Sequence, residues 1–365
     1  MQNILVFFGG VSVEHDVSII TGTLTLNTLR RERYNAIPVY VDRDGTFYTG
    51  EQLLDIGNYT KLDYKKLNKV VFLSGENKVY IKKKGKLKEL CAVKCAINCM
   101  HGERGEDGSL AGFLNFTDIP LASPDLVSSS ICIDKEITKI ILKGLKIKAL
   151  PSITVSEVQD CVKKCKKLGF PLIVKPCKLG SSIGIKKAKD EKELESAILF
   201  ALRYGERVIV EPCLDNFIEI NCACYKDAKG KIVVSECEQP IGKEEILSFS
   251  DKYENGGRIF PADIEKSLSD EIKKTTRTVY EKLNISGIIR VDFMIRNKEV
   301  YLNEINTVPG SLAYYLFTDT LKGFEKILEN NILLACFNKA KQNSFDKKFS
   351  CKVLEDLGSK GVKRL

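Results

Sequence analysis

An apolar run that stops on two glycines governs how this chain begins to fold. Ile4-Leu5-Val6-Phe7-Phe8 ends at Gly9-Gly10, and a helical pattern follows from about Glu14. Consecutive apolar residues suit a strand covered on both faces, as in parallel sheets. The helix is expected to carry Val13, Val17, Ile20 and Leu24 on one face, and a second strand, residues 36–41, ends at Asp42. Strand, glycine turn, helix, strand is the opening of a parallel α/β layer. The first run has no basic flank and is too short for a signal peptide. No stretch approaches the ~20 apolar residues of a membrane span, so a cytoplasmic protein without membrane partners is expected.

At 365 residues the chain is long enough for two or three domains. Boundaries are expected near 123 and 211, giving units 1–123, 124–211 and 212–342, then a basic tail 343–365. Residues 45–90 read as an insertion with strand-like patches at 69–73 and 78–81, and a core strand, 95–100, ends at His101-Gly102. Residues 105–160 are helical in pattern; strands 171–174 and 207–210 flank a helix over 191–204. Alternating strands 217–225 and 231–238, a polar loop 246–259 and a helix 269–283 precede a hairpin, 287–306, and a last helix, 321–339.

The net charge of +9 is spread out, without a basic stripe interleaved with aromatics. That excludes a nucleic-acid partner and favours anionic small substrates. The thirteen cysteines are odd in number and follow no secretory signal. Reduced thiols are therefore expected, among them Cys91, Cys95, Cys99, Cys132 and Cys177. With only His15 and His101 and no pair of Cys-x-x-Cys knuckles, a zinc site is disfavoured.

The hairpin carries the most chemistry. Residues two apart on a strand share a face, so Arg290 pairs in direction with Asp292, and Glu304 with Asn306. With the turn centred on Lys298, Asp292 lies opposite Glu304 and Arg290 opposite Asn306. Two carboxylates and an amide on one face suit Mg²⁺ with substrate phosphates. Lys175 follows the apolar run Leu172-Ile173-Val174, and Lys135 follows Ile131-Cys132-Ile133-Asp134. Beyond Lys175, Gly180-Ser181-Ser182-Ile183-Gly184 is able to fold over phosphates. It is not a Walker A sequence. Glu211, Leu214 and Glu219 are spaced to read an adenine edge and a ribose.

Taken in order, these motifs resemble the D-alanine–D-alanine ligase family of the ATP-grasp superfamily. The resemblance rests on Gly9-Gly10-x-Ser12-x-Glu14-His15-x-Val17-Ser18, His101-Gly102-x-x-Gly105-Glu106-Asp107-Gly108 and Val174-Lys175-Pro176 through Gly184. Lys252-Tyr253, Arg290-x-Asp292 and Glu304-x-Asn306-Thr307-x-Pro309-Gly310 complete it, over residues 3–317. It implies an α/β (α+β) fold of three domains, an N-terminal substrate domain and two ATP-grasp units clamping the nucleotide. It implies an ATP-dependent ligase for peptidoglycan precursors, in which one D-alanine becomes an acylphosphate and a second D-alanine displaces phosphate. It further implies two Mg²⁺ ions, with Mn²⁺ as a substitute, and a homodimer acting on small amino-acid substrates.

By the same resemblance Lys135 and Lys175 hold the α- and β-phosphates and Lys252 the γ-phosphate. Asp292, Glu304 and Asn306 hold the metal ions. Glu14 binds the first ammonium group, and Arg290 with the Gly310 N–H forms the oxyanion site. Glu14, Ser181 and Tyr253 close the loop over residues 246–257, which is expected to open without nucleotide. His101 is a further candidate for substrate binding.

The chain departs from the family in two places near the acceptor pocket. Tyr315 stands where relatives carry the serine that helps bind the second carboxylate; Ser311 is the alternative donor, and Ala111 replaces a glutamine. A ligase with a different amino-acid acceptor is therefore the alternative reading, although Tyr253 argues against D-lactate. A non-catalytic nucleotide-binding regulator is disfavoured by Glu14, Arg290, Asp292 and Glu304.

Overall fold

The computed structural model describes residues 1–29, 33–158, 161–241 and 257–345. Lys252, Tyr253 and most of the loop expected to gate the site lie outside the described residues, as does the tail from 346.

Strand β1 (Gln2–Gly9) is covered on both faces, as its unbroken apolar run predicts. Ile4, Val6 and Phe8 enter the core beneath α1 (His15–Leu29), while Leu5 and Phe7 enter the opposite core against α2 (Ser109–Phe116). Strand β1 is parallel to β2 (Tyr34–Val41) on one side. The glycine at 22 lets α1 settle onto it: a Cβ there would sit 2.3 Å from the Phe8 Cβ.

The face expected for α1 is only half buried: Val17 is inside and Leu24 packs against the core. Val13 and Ile20 are exposed, because the helix begins only at His15 and turns Ser18, Thr21, Thr25 and Thr28 inward. Three of those hydroxyls are satisfied by the helix's own backbone. Ser18, Thr25 and Thr28 each donate to the carbonyl four residues back, which lets polar residues occupy a core face.

Residues 45–90 are not a separate insertion. They supply β3 (Phe47–Thr49), β4 (Asn68–Val71), β5 (Lys78–Lys83) and β6 (Lys86–Ala92), which extend the same sheet antiparallel from β2. Strand β7 (Cys95–Asn98) lies parallel on the other side of β1, giving the order β6-β5-β4-β3-β2-β1-β7.

Two helices follow, α3 (Leu126–Ile133) and α4 (Lys135–Gly144). The run before Lys135 belongs to α3, and Lys135 opens α4 behind the N-cap Asp134. A second sheet contains β8 (Ile153–Val155), β9 (Leu172–Pro176), β10 (Lys186–Ala188) and β11 (Val208–Pro212), all antiparallel, in the order β10-β9-β11-β8. Helices α5 (Cys161–Cys165) and α6 (Glu191–Ala201) pack on one face, over Leu172, Val174, Val208 and Val210. Alternation then turns Ile173, Lys175 and Glu211 to the other face. Lys175 lies within β9, not after it.

A third sheet, β13-β12-β16-β17, is made of β12 (Ile218–Lys226), β13 (Ile232–Val234), β16 (Ile289–Arg296) and β17 (Glu299–Asn306). The expected long strand over 231–238 is instead β13 and, separately, β14 (Gln239–Ile241), which pairs with β15 (Gly257–Ile259). Helix α7 (Lys266–Lys282) covers the apolar face of the third sheet through Ile272, Val279 and Tyr280. The last helix, α8 (Leu321–Asn343), returns to the first sheet with Phe324, Ile327, Leu328 and Ile332 in the core under β1. The described cysteines are free, most of them buried.

Candidate active site

The polar faces of the second and third sheets look at each other across a cavity partly open to solvent. Lys135, Lys175, Ser181, Glu211, Leu214, Glu219 and Glu304 line it, with Ile173, Phe217 and Met294 as apolar walls. An adjoining hollow is lined by Glu14, Gly102, Glu106, Asn306 and Thr307.

The hairpin reaches the expected pairing by an unexpected route. Its turn is the two-residue Asn297-Lys298, both at positive φ, which pairs Arg296 with Glu299. Continued regularly, that register would turn Glu304 away from Asp292. A bulge after Phe293↔Leu302 inserts Asn303 and shifts the ladder by one, so that Asp292 faces Glu304 and Arg290 faces Asn306. The core pattern shows the same step: Val300 and Leu302 face the core, then Ile305. The extra residue is itself used, since the Asn303 Oδ1 accepts from the Lys175 Nζ at 3.2 Å.

Arg290 grips Asp292 with both arms, Nε to Oδ1 at 2.7 Å and Nη2 to Oδ2 at 2.8 Å. Asn306 Nδ2 also donates to Asp292 Oδ2, at 2.9 Å. Lys135 Nζ stands 3.8 Å from Glu304 Oε2 and donates to the Leu179 carbonyl at 2.7 Å. The carboxylate, carboxylate and amide set is the hard-oxygen chemistry that Mg²⁺ accepts. The cations now leaning on it show the negative charge that a metal ion would neutralise.

On the facing sheet, Lys175 Nζ lies 2.7 Å from Glu211 Oε2. Burial draws the Lys175 ammonium down, but Glu211 and Glu304 outweigh it and hold its pKa above the ordinary value. Burial likewise pushes Glu211 up, and Lys175 with Lys139 more than reverses this.

Glu14 and Ser181 meet although they come from different sheets' loops: the Ser181 hydroxyl donates to the Glu14 carboxylate. Ser181 and Ser182 sit in the left-handed region, at φ 52 and 58, the conformation that bends the loop over the cavity. His101 is buried; its Nε2 meets Thr21 Oγ1 at 3.1 Å, and its N–H donates to Ser18 Oγ. Burial, then Arg290, pushes its pKa down to about 3, so the ring is neutral. Thr21 Oγ1 also accepts from the Ser311 N–H at 3.1 Å. His101 thereby braces the segment after Gly310 from behind.

That segment is unusual. Ser311, Leu312 and Ala313 all have left-handed φ, 51, 49 and 49. Non-glycine residues pay about 1–2 kcal/mol each there. Burial of Leu312 and Ala313 and the Thr21 hydrogen bond hold the turn. It directs Tyr315 back to the third sheet, within electrostatic reach of Arg290. Arg258 lies over the Tyr315 ring, 5.1 Å from its centroid.

Three participants were missed in the sequence. Asn303 had only the break in alternation as a signal. Lys139 had its four-residue spacing from Lys135. Glu106 stands within a quoted motif, and its two oxygens accept the Gly102 N–H at 2.9 Å and the Val308 N–H at 3.0 Å. It therefore ties the His101-Gly102 turn to the strand end before Gly310. Burial, then the Glu14 charge, pushes the Glu106 carboxyl up to about 8 from 4.5. Between those values the native chain keeps a proton that the unfolded chain has released, so stability falls as pH rises through the window. In Glu106→Gln that component is absent. Its melting temperature relative to wild type is expected to climb between about pH 5 and pH 8.5; a difference independent of pH would show that Glu106 titrates normally.

This geometry can be set beside known proteins. Residues 3–124 match the family model of the D-ala D-ala ligase N-terminus, and residues 145–326 that of the D-ala D-ala ligase C-terminus. A D-alanine–D-alanine ligase of Thermosipho melanesiensis is 37% identical, over 91% of this chain and 93% of the relative. The chain belongs to the D-ala D-ala ligase family. The ligase is also similar in structure to the Coxiella burnetii D-alanine–D-alanine ligase, at TM-score 0.81 and 25% identity over 94% of this chain and 96% of that one. A D-Ala:D-Ser ligase of Enterococcus faecalis matches at TM-score 0.78 and 27% identity over 92% and 99%. The architecture of this ligase is thus the ATP-grasp α/β arrangement, and no described helix is long and apolar enough to cross a membrane.

Proposed function

We propose that this chain is an ATP-dependent ligase that joins two D-alanine molecules for peptidoglycan precursors. The observation that carries the reading is the convergence of Glu14–Ser181 and Lys135–Glu304 on adjoining hollows between facing sheets, with the Arg290–Asp292 pair joined to their lining through Asn306. Glu14 accepts the first substrate's ammonium and, with Ser181, holds its carboxylate toward the γ-phosphate. Lys135 and Lys175 bind the α- and β-phosphates; Glu211, Leu214 and Glu219 take the base and ribose. Asp292, Glu304 and Asn306 hold two Mg²⁺ ions, which when bound screen the charge between carboxylate and phosphate. Arg290 and the Gly310 N–H face the oxyanion formed as the second amine attacks. The roles of Lys252 on the γ-phosphate and Tyr253 in closure rest on the family resemblance, as do a homodimer and a cytoplasmic location. Light scattering after size exclusion tests the dimer.

ADP release measured across a panel of D- and L-amino acids tests the reading. D-alanine is expected to give the highest rate; release independent of any amino acid would remove it. The nearness of Tyr315 to the charge of Arg290 favours one second reading, an acceptor other than D-alanine. Tyr315→Ser is expected to change the Michaelis constant for the second amino acid by about one to two powers of ten, the worth of one hydrogen bond to a charged group. The constant for ATP should stay put. Equal changes in both would take Tyr315 out of the acceptor site.

A further inference from the structure

Lys139 is a buried lysine that the chemistry above leaves unused. It follows Lys135 by four residues on α4, so the two ammonium groups leave the same helix face. Lys135 lines the cavity, whereas Lys139 stays behind its wall, its side chain 11% exposed. Its Nζ donates to the Leu150 carbonyl at 2.7 Å and lies 2.6 Å from Glu211 Oε1. The other Glu211 oxygen lies 2.7 Å from Lys175, and the Glu211 side chain is 2% exposed. One carboxylate is therefore held between two lysines at the end of β11.

The two lysines have different obligations. Lys175 faces the cavity and also contacts Asn303, and on the reading proposed above it serves phosphate. A phosphate that draws Lys175 forward takes it from Glu211. Lys139 is anchored from behind by a backbone carbonyl and has no such second task. Were Glu211 left alone at that depth, its charge would be uncompensated, and it would take up a proton instead.

The protonation state decides what Glu211 can read. An ionised carboxylate only accepts hydrogen bonds, with two lone pairs on each oxygen, whereas a protonated one also donates. One cation on each oxygen leaves accepting capacity toward the cavity that Glu211 lines. Adenine offers an exocyclic amine at its ring edge, and guanine offers a carbonyl at the same place. We infer that Lys139 is a positioning residue for nucleotide choice: it keeps Glu211 ionised and aimed when phosphate engages Lys175, so that the site selects a base with an amino edge. The inference rests on the nucleotide reading of this cavity.

Calorimetric binding of ADP and of GDP, without amino acids, tests it on the full chain. Wild type is expected to prefer ADP. In Lys139→Met the ADP affinity is expected to fall about tenfold or more, the worth of a hydrogen bond to a charged group, while GDP binding changes little, so the preference narrows. Lys139→Arg, which keeps the cation, is expected to hold the preference. In a Glu211→Gln background, Lys139→Met is expected to have no further effect on the ratio. Equal losses for both nucleotides, or an unchanged ratio in Lys139→Met, would overturn the inference. If Lys139→Met does not fold, Glu211→Gln alone decides: a preserved ADP preference there overturns it as well. Wild type that binds neither nucleotide would instead remove the nucleotide reading on which it rests.

Discussion

Arg290→Ala is expected to lower turnover by about three orders of magnitude, the largest effect of any single substitution considered for this chain. Removing one donor from an oxyanion site typically costs ~10²–10³ in rate. Arg290 has a second task, since both its arms hold Asp292 at 2.7 and 2.8 Å, and Asp292 is buried. Its loss leaves that carboxylate without its main counter-charge, and breaking a buried pair by removing one partner costs about 3–5 kcal/mol. A lowered melting temperature should therefore accompany the lost rate. Arg290→Lys keeps the charge but not the forked geometry, so it should recover stability more fully than turnover. ADP release and thermal melting on both variants separate the two tasks. Turnover within tenfold of wild type in Arg290→Ala would place the oxyanion site elsewhere.

Gly102→Ala is expected to cut kcat/KM for the first amino acid by about a hundredfold and to spare nucleotide binding. Gly102 has φ +70, a conformation that alanine enters at a cost of ~1–2 kcal/mol. The added Cβ would lie 2.3 Å from Ser12 Oγ and 2.8 Å from Glu14 Oε2. Both side chains are buried, so Glu14 has to move, and a misplacement of ~1 Å at a positioning group is worth ~10² in rate. The phosphate-binding lysines belong to other elements and should keep their places. The measurement is steady-state ADP release against the first amino acid, with nucleotide affinity by calorimetry. Equal losses in both would mean that the substitution damages the fold rather than Glu14.

Much of the site's local geometry was legible because it depends on short spacings within one element. Alternation placed Arg290 with Asp292 and Glu304 with Asn306, and the motif glycines marked the turns. The assignment of Lys175 to the edge of its strand missed by only a few positions. The burial of α1 was misread because hydroxyls bonded to their own helix behave as core residues, and hydropathy does not show that. The four strands between residues 45 and 92 looked foreign because they are short and lysines recur in three of them; the sheet nevertheless continues through them by backbone pairing.

By itself the sequence determined the parallel opening of the fold, the inventory of cations and carboxylates, and the face on which each stands within its own strand. Tertiary structure alone decided how those faces are phased and paired. The Asn303 bulge rests on a two-residue turn whose register has to be corrected before Glu304 can meet Asp292. The Glu211 pair with Lys139, the His101–Thr21–Ser311 brace and the Glu14–Ser181 bond each join residues far apart in the chain. A local pattern specifies which way a side chain points. Which partner it meets depends on how separate elements dock, and docking is settled by the burial of faces that each segment presents only once it has folded.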